Sequence, residues 1–268
     1  MYLDNKSIRK RLGQHMNIVE KLGYDVAAII LKGSQNYGLA DENSDVDSVV
    51  FVYPSWQEII FGKIISRELE VDRHEIINIK DVRTIFKLFT KPNPVNAELL
   101  YSKYWLSYDY RRLWDELRDY KKELTYADGA AFLKSAYGTI YTKVSNLSNS
   151  SNYRQDWIEE YGYDPKQLIH ALRLYNVMQR YIARDTKNLF QLEPTTLNRL
   201  KQLKYNPLPL EEAQVLAQKT LNDARTLCDE HINDFTKDTA MFDILEGLII
   251  HDIKTYLEKQ DTILGKRG

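Results

Sequence analysis

The 268-residue chain contains a single cysteine, Cys228, and no long apolar stretch. A lone thiol cannot close an intramolecular disulfide, and it excludes a cysteine-rich zinc module. Cys228 is read as a buried, inert side chain. The longest uninterrupted apolar run, residues 26–31, is far shorter than the roughly 20 residues of a membrane-spanning helix. The first residues, MYLDNKSIRKRLGQ, carry charge with no apolar run behind it, unlike a secretory signal. Charge of one sign is also missing: 37 Lys and Arg against 38 Asp and Glu leave a formal net charge of −1. No global basic field therefore draws the chain to nucleic acid, and any such contact must come from a local site. These absences, with 43% hydrophobic and 28% charged residues, predict a cytoplasmic globular protein with no membrane partner.

What is present changes character midway. Ile8, Leu12, Ile18, Val19 and Leu22 recur at helical spacing over residues 7–22, and Gly23 ends the pattern. Residues 26–31 are continuously apolar and run into Gly33, the pattern of a buried strand. Residues 33–44, rich in Gly, Ser and Asn, form a loop with room for one helical turn. Residues 46–53 read as a second strand ended by Pro54, and a third lies within residues 69–79. Asp81 opens a helix carrying Val82, Ile85, Phe86 and Phe89, stopped by Lys91-Pro92-Asn93-Pro94, and residues 95–101 form another short helix.

Beyond residue 106 strand signals fade. Amphipathic patterns follow over 109–123, 127–148, 165–184, 195–204, 210–231 and 238–259, interrupted by a polar loop at 146–152 and a breaker at 205–209. No internal repeat is present. The expectation is an α+β protein: strands and helices mixed within residues 1–106, followed by an all-helical domain over 107–268.

Chemistry concentrates between residues 33 and 47. Gly33 permits a bend other residues resist and a close ligand approach, and Ser34 adds a hydroxyl and a backbone N–H. If a helical turn begins there, its unpaired N–H groups suit phosphate oxygens. Asp45 and Asp47, at i and i+2 where a strand starts, project from one face roughly 7 Å apart at Cα. Two carboxylates that close repel unless a cation lies between them. Magnesium fits, since it takes oxygen ligands and brings phosphates with it. Two such ions would activate an attacking hydroxyl and stabilise a departing pyrophosphate. The plain alternative is a turn followed by a strand with exposed acids, because Asp-x-Asp alone is common. The ordered assembly of strand, Gly-Ser, polar loop and acids favours the site.

Gly33-Ser34, Tyr37-Gly38-Leu39 and Ser44-Asp45-Val46-Asp47 resemble the signature of the DNA polymerase β-like nucleotidyltransferase superfamily. Within it they are most similar to a branch of predicted nucleotidyltransferases associated with RNA ligases and phages. Asn93-Pro94 with Glu98-Leu99-Leu100, and Gly162-Tyr163-Asp164-Pro165-Lys166 with His170 and Arg173, resemble later segments of that branch. The resemblance implies a small mixed sheet, three acidic ligands for two Mg2+ ions, and a Gly-Ser turn binding the triphosphate of ATP or another NTP. Asp45 and Asp47 carry over directly. Glu70, Asp72 and Glu75 are candidates for the third acid, and Glu75 is preferred over Asp72 for its distance from Asn93-Pro94 and its parity with Ile77 and Ile79.

Lys166, His170 and Arg173 share one face of a helix at i, i+4 and i+7. Such a stripe is ordinarily solvated; the resemblance makes Lys166 and Arg173 contacts to nucleotide phosphates, while His170 is equally well read as a half-buried structural histidine. Tyr37 is expected to pack its loop, and Tyr137 and Tyr141, one turn apart, are read as core. His74 is not a metal ligand on this reading, because magnesium avoids imidazole. The expected activity is transfer of a nucleoside monophosphate from an NTP to an acceptor hydroxyl, with an RNA end or tRNA as the acceptor the resemblance implies. Two rivals are a nucleotide-binding regulatory protein without catalysis and a toxin-type enzyme modifying tRNA.

Overall fold

The computed structural model describes residues 5–41, 44–108, 110–149 and 155–265. Asn43 of the loop before Asp45, the first residue of the helix expected at 109–123 and the end of the polar loop at 146–152 lie outside the described residues. The chain forms two compact units. One comprises the chain up to Lys91, Val95–Ala127 and the chain from Asp238 onward; the other comprises Pro92–Pro94 and Asp128–Lys237.

The first unit is built on a five-stranded mixed sheet. Its strands are β1 (Val26–Lys32), β2 (Asp47–Val52), β3 (Ser66–Glu70), β4 (Ile76–Asp81) and β5 (Trp105–Leu106), in the order β3-β4-β2-β1-β5. β2 runs antiparallel to β1 and parallel to β4, while β3 folds back antiparallel on β4. The single strand expected within residues 69–79 is thus the end of one strand and most of another. Between them Asp72–His74 makes a 3-10 turn, with His74 at a positive φ of 64°. The two-residue β5 carried no periodicity from which to read it.

Helix α1 (Asn5–Lys21) covers one face of the sheet. Its Ile8, Leu12, Met16 and Val19 join Ile29, Leu31, Val50, Ile77 and Ile79 in one core. The other face, carrying Ala28, Ile30, Val49 and Phe51, is covered by α4 (Thr84–Thr90), α6 (Leu113–Asp119), α7 (Lys121–Tyr126) and α13 (Thr239–Gly265). Both faces being buried explains why β1 and β2 read as unbroken apolar runs and not as alternating patterns. Short helices α2 (Ser34–Tyr37), α3 (Trp56–Ile60) and α5 (Pro94–Leu100) complete the connections, and Ser55 and Glu58 form a capping box at the start of α3. The buried Asp81 carboxylate, held by both Nε and Nη2 of Arg83 at 2.9 and 2.6 Å, fixes the turn from β4 into α4.

The second unit is helical: α8 (Gly129–Ser145), α9 (Gln155–Tyr161), α10 (Pro165–Ile182), α11 (Pro194–Tyr205) and α12 (Leu210–His231). Tyr163, Leu168, Ala213 and Ala217 share a cluster with Leu147, and the Phe132 and Tyr181 rings stack 3.9 Å apart. Cys228 is buried on α12. Tyr141 is 54% exposed and does not belong to the core expected of it.

The expected division at residues 106 and 107 does not follow the compact units. Trp114 and Leu117 of α6 complete the core over Phe51, whose ring stacks on Trp114 at 5.4 Å, so the first unit continues to Ala127. It then takes back the last helix, because Met241, Phe242, Leu245 and Ile249 of α13 are buried in that same core. Leu245→Ala is expected to lower stability by about 2–5 kcal/mol. A fragment ending at residue 106 is expected to show no cooperative melting transition. Calorimetry of the two proteins checks both outcomes.

Candidate active site

β1 ends at Lys32 and the chain turns at Gly33, whose φ of 87° and ψ of −159° disfavour any side chain. The single turn α2 follows and closes at Gly38 in the left-handed region, with the Gly38 N–H donating to Ser34 O. The turn is clasped from below. Asn36 Nδ2 donates to Leu31 O at 2.9 Å, while Asn36 Oδ1 accepts from Lys103 N at 3.3 Å and lies 2.9 Å from Ser102 Oγ. Tyr37 is buried, packing the loop as expected. Gln35 Nε2 reaches Ser44 O at 3.5 Å, and Ser44 Oγ accepts from Asp41 N at 2.8 Å. The loop is thereby tied back to the residue before Asp45.

β2 places Asp47 opposite Lys32 in the β1–β2 register, so the two side chains share a face of the sheet. Asp47 Oδ1 accepts from Ile76 N at 2.8 Å. Its Oδ2 lies 3.8 Å from where a Cβ on Gly33 would stand. The glycine bend and the second aspartate are therefore in contact distance of one another, and any side chain at position 33 would take up the space in front of the carboxylate. Asp45, two residues earlier, is exposed; Asp47 is half-buried.

Glu75 is elsewhere. It is 5% exposed, its Oε2 receives Arg11 Nε at 2.5 Å and His15 Nε2 at 3.0 Å, and its Oε1 accepts from Val46 N at 3.3 Å. The other nitrogen of His15, Nδ1, is 3.1 Å from Ser48 Oγ. Val46 and Ser48 alternate with Asp47 and point toward α1, so Glu75 meets β2 on the face opposite the Asp47 carboxylate. Parity with Ile77 and Ile79 is what sends Glu75 to the α1 side. The structure does not bring it together with Asp45 and Asp47.

The other candidates fare no better as a third ligand. Asp72 is 88% exposed at its side chain and lies 3.7 Å from Arg11 Nη2. On Asp47's face, the β4 positions are Ile76 and Asn78, and their partners on β3 are Glu70 and Glu68. These acids sit two strands from Asp47, about 10 Å away at the usual strand spacing, and Glu70 Oε1 lies 2.6 Å from Nδ1 of the exposed His74. Among the described residues, no group of three or more His, Cys, Asp or Glu side chains is placed to hold a metal ion. Of the two aspartates, Asp47 alone stands in β2 beside the glycine bend, and Asp45 lies exposed just before the strand.

In the second unit, α10 begins at an Asp164 cap that accepts from Lys166 N at 2.9 Å. Lys166 is exposed, His170 half-buried and Arg173 only 4% exposed, so the three do not form a uniformly solvated stripe.

Sequence reasoning missed Lys32, Arg11 and His15. Lys32 had a signal in its position just before Gly33 at the strand end. Arg11 and His15 stand four apart on a helix whose apolar positions are their neighbours, a spacing that places both on the buried side.

Burial lowers the pKa of His15 from its ordinary 6.5, against the opposing pull of Glu75. The unfolded chain binds a proton near pH 6.5 while the folded one does not, so this contribution is present above that pH and is lost as pH falls. The urea midpoint is expected to drop between about pH 7.5 and about pH 5.5, and to drop less in His15→Gln. Glu75→Ala, which strands Arg11 and His15, is expected to cost about 3 kcal/mol or more. Denaturation of each variant measures this, and an unchanged midpoint for Glu75→Ala would rule out a structural role.

Residues 12–101 match the family model for the nucleotidyltransferase domain. No curated protein matches the chain. Among solved structures, the chain is similar to a nucleotidyltransferase-like protein from Exiguobacterium sibiricum 255-15, at 11% identity over 82% of this chain and 74% of that one, with a TM-score of 0.31.

Proposed function

We propose that the chain is a magnesium-dependent nucleotidyltransferase whose reacting centre is the face of β2 that bears Asp47. A nucleotidyltransferase domain over residues 12–101 implies a nucleotide substrate and transfer of its monophosphate. The observation that carries the reading is the Asp47 carboxylate lying against the Gly33 bend. A triphosphate seated over Gly33 and Ser34 would meet Asp45 and Asp47 at its α-phosphate.

The acceptor hydroxyl oxygen forms the new bond to the α-phosphorus, and the bond from that phosphorus to its bridging oxygen breaks. Pyrophosphate leaves, and the hydroxyl proton passes to solvent. Asp45 and Asp47 would hold a magnesium ion, which would supply charge neutralisation at the phosphates. The chain's own contribution is positioning: β2 fixes the carboxylates, Gly33 leaves room for phosphate, and Lys32 offers positive charge beside Asp47. Glu75 enters as the brace of β2 and not as a ligand or base. The acceptor in this reading is an RNA end, as the branch resemblance implies; a terminus-specific enzyme grips few phosphates, which is compatible with a net charge of −1.

Among the described residues no group of three or more acidic, His or Cys side chains is placed to hold a metal, which favours one alternative, a protein that binds a nucleotide without transferring it. Incubation with each labelled NTP, Mg2+ and total RNA separates the two. Label on RNA with pyrophosphate release supports transfer; magnesium-dependent NTP binding with no release supports the alternative. Asp47→Asn is expected to reduce transfer at least a thousandfold, an effect of about 4 kcal/mol, with an unchanged melting profile. Turnover near wild type in that variant would reject the assignment.

A further inference from the structure

On the first unit, away from the aspartates, α3, α4 and α13 enclose an open apolar groove of about 690 Å³. Trp56 and Phe86 form one wall, and Ile249, Ile250, Ile253 and Leu257 of α13 form the floor. The surface is much more apolar than folding requires: Trp56 is 49% exposed, Ile250 58%, and Ile60 and Phe61, at the end of α3, 72% each. A contiguous exposed patch of this kind marks an interaction surface.

The charges at its rim suit a second copy of this chain, with Lys254 Nζ also 3.8 Å from Glu258 Oε1 on its own helix. Glu246 and Lys254 both line the groove, each four residues from Ile250 in opposite directions along α13. They lie on the same side of the helix as Ile250, about 40° to either side of it at 100° per residue. Now set a second α13 antiparallel to the first across a two-fold axis at Ile250. Each Glu246 then stands level with the Lys254 of the partner subunit, Ile250 meets its own copy, and Gly247 stands level with Ile253 of the partner subunit. Gly247 has open space where a Cβ would be, which allows the close approach that such a crossing needs. A surface that pairs with itself must satisfy this reciprocity, i with j and j with i. The rim also holds both signs, Arg83 and Lys254 against Glu246 and Glu258, where a membrane surface would call for an excess of basic residues.

We infer that this groove is a homodimer interface, in which α13 packs antiparallel on α13 of a second copy about Ile250.

Sedimentation equilibrium on the full chain tests it. The wild type is expected to dimerise, and Ile250→Asp to be monomeric while melting as cooperatively as the wild type. The charges give the sharper test. Glu246→Lys alone places two lysines opposite each other and Lys254→Glu alone places two glutamates, so each is expected to weaken the dimer about tenfold. Glu246→Lys combined with Lys254→Glu restores the opposed pairs and is expected to return the affinity to near wild type. A wild-type chain that remains monomeric up to roughly 100 μM, or a double variant as weak as the product of the two single effects, overturns the proposal.

Discussion

A strand that turns a carboxylate toward a ligand at its first residue must be fixed from its other face. In β2 that is the task of a buried ionic cluster. Hydrophobic burial cannot set the register here, because Val49, Val50, Phe51 and Val52 are all 0–4% exposed and either face of the strand would accept them. A slip by one residue would exchange Asp47 for Ser48 and empty the site. The groups that tell the two registers apart are polar. Ser48 meets His15, Val46 N meets Glu75, and Arg11 neutralises the carboxylate they share. A buried ion pair is poor evidence for stability, since its desolvation offsets much of its attraction. Its value here lies in specifying which residues of β2 face which way.

The same logic holds for the glycine bend. Four residues of helix cannot hold their own shape in water, so α2 is kept in place by contacts from far along the chain. Asn36 bridges Leu31 to Lys103, and Ser102 Oγ lies 2.9 Å from Leu31 O. The bend, the end of β1 and the segment leading to β5 thus form one hydrogen-bonded block. Asp47 is tied to β4 through Ile76 N, so the carboxylate and the bend are each fixed to a different neighbour of the central strands. Their closeness follows from the order of the sheet.

Much of this was legible in the sequence, for identifiable reasons. α1, β1, β2, α10 and α12 announced themselves through periodicity or unbroken apolar runs, and the Gly33 bend through residue type. The place of Asp47 beside the Gly33 bend fits the strand–turn–strand order read there, while Asp45 falls before the start of β2 at Asp47, where strand alternation does not reach. The rest depended on relations that a linear pattern does not carry. The short turn at Asp72–His74 splits one expected strand into two and decides which acids reach which face. Parity placed Glu75 with Ile77 and Ile79 correctly, yet that parity leads to the α1 face, which could be known only once β4 was set beside β2. The extent of the first unit was hidden for a similar reason, because the apolar stripe of α13 does not reveal which core it fills.

The electrostatics of the two-acid site bear on how a nucleotide would enter it. Lys32 and Asp47 stand opposite one another in the sheet, and on the proposed reading Asp45 would add a second negative charge beside them. An NTP carrying several negative charges gains little from such a face by itself and would be repelled by its carboxylates. A divalent ion already bound to the phosphates reverses that balance, since the carboxylates then complete its coordination shell. On the proposed reading, nucleotide and ion therefore arrive together. On that reading, with no group of three metal-holding side chains among the described residues, substrate oxygens would supply much of the ion's coordination.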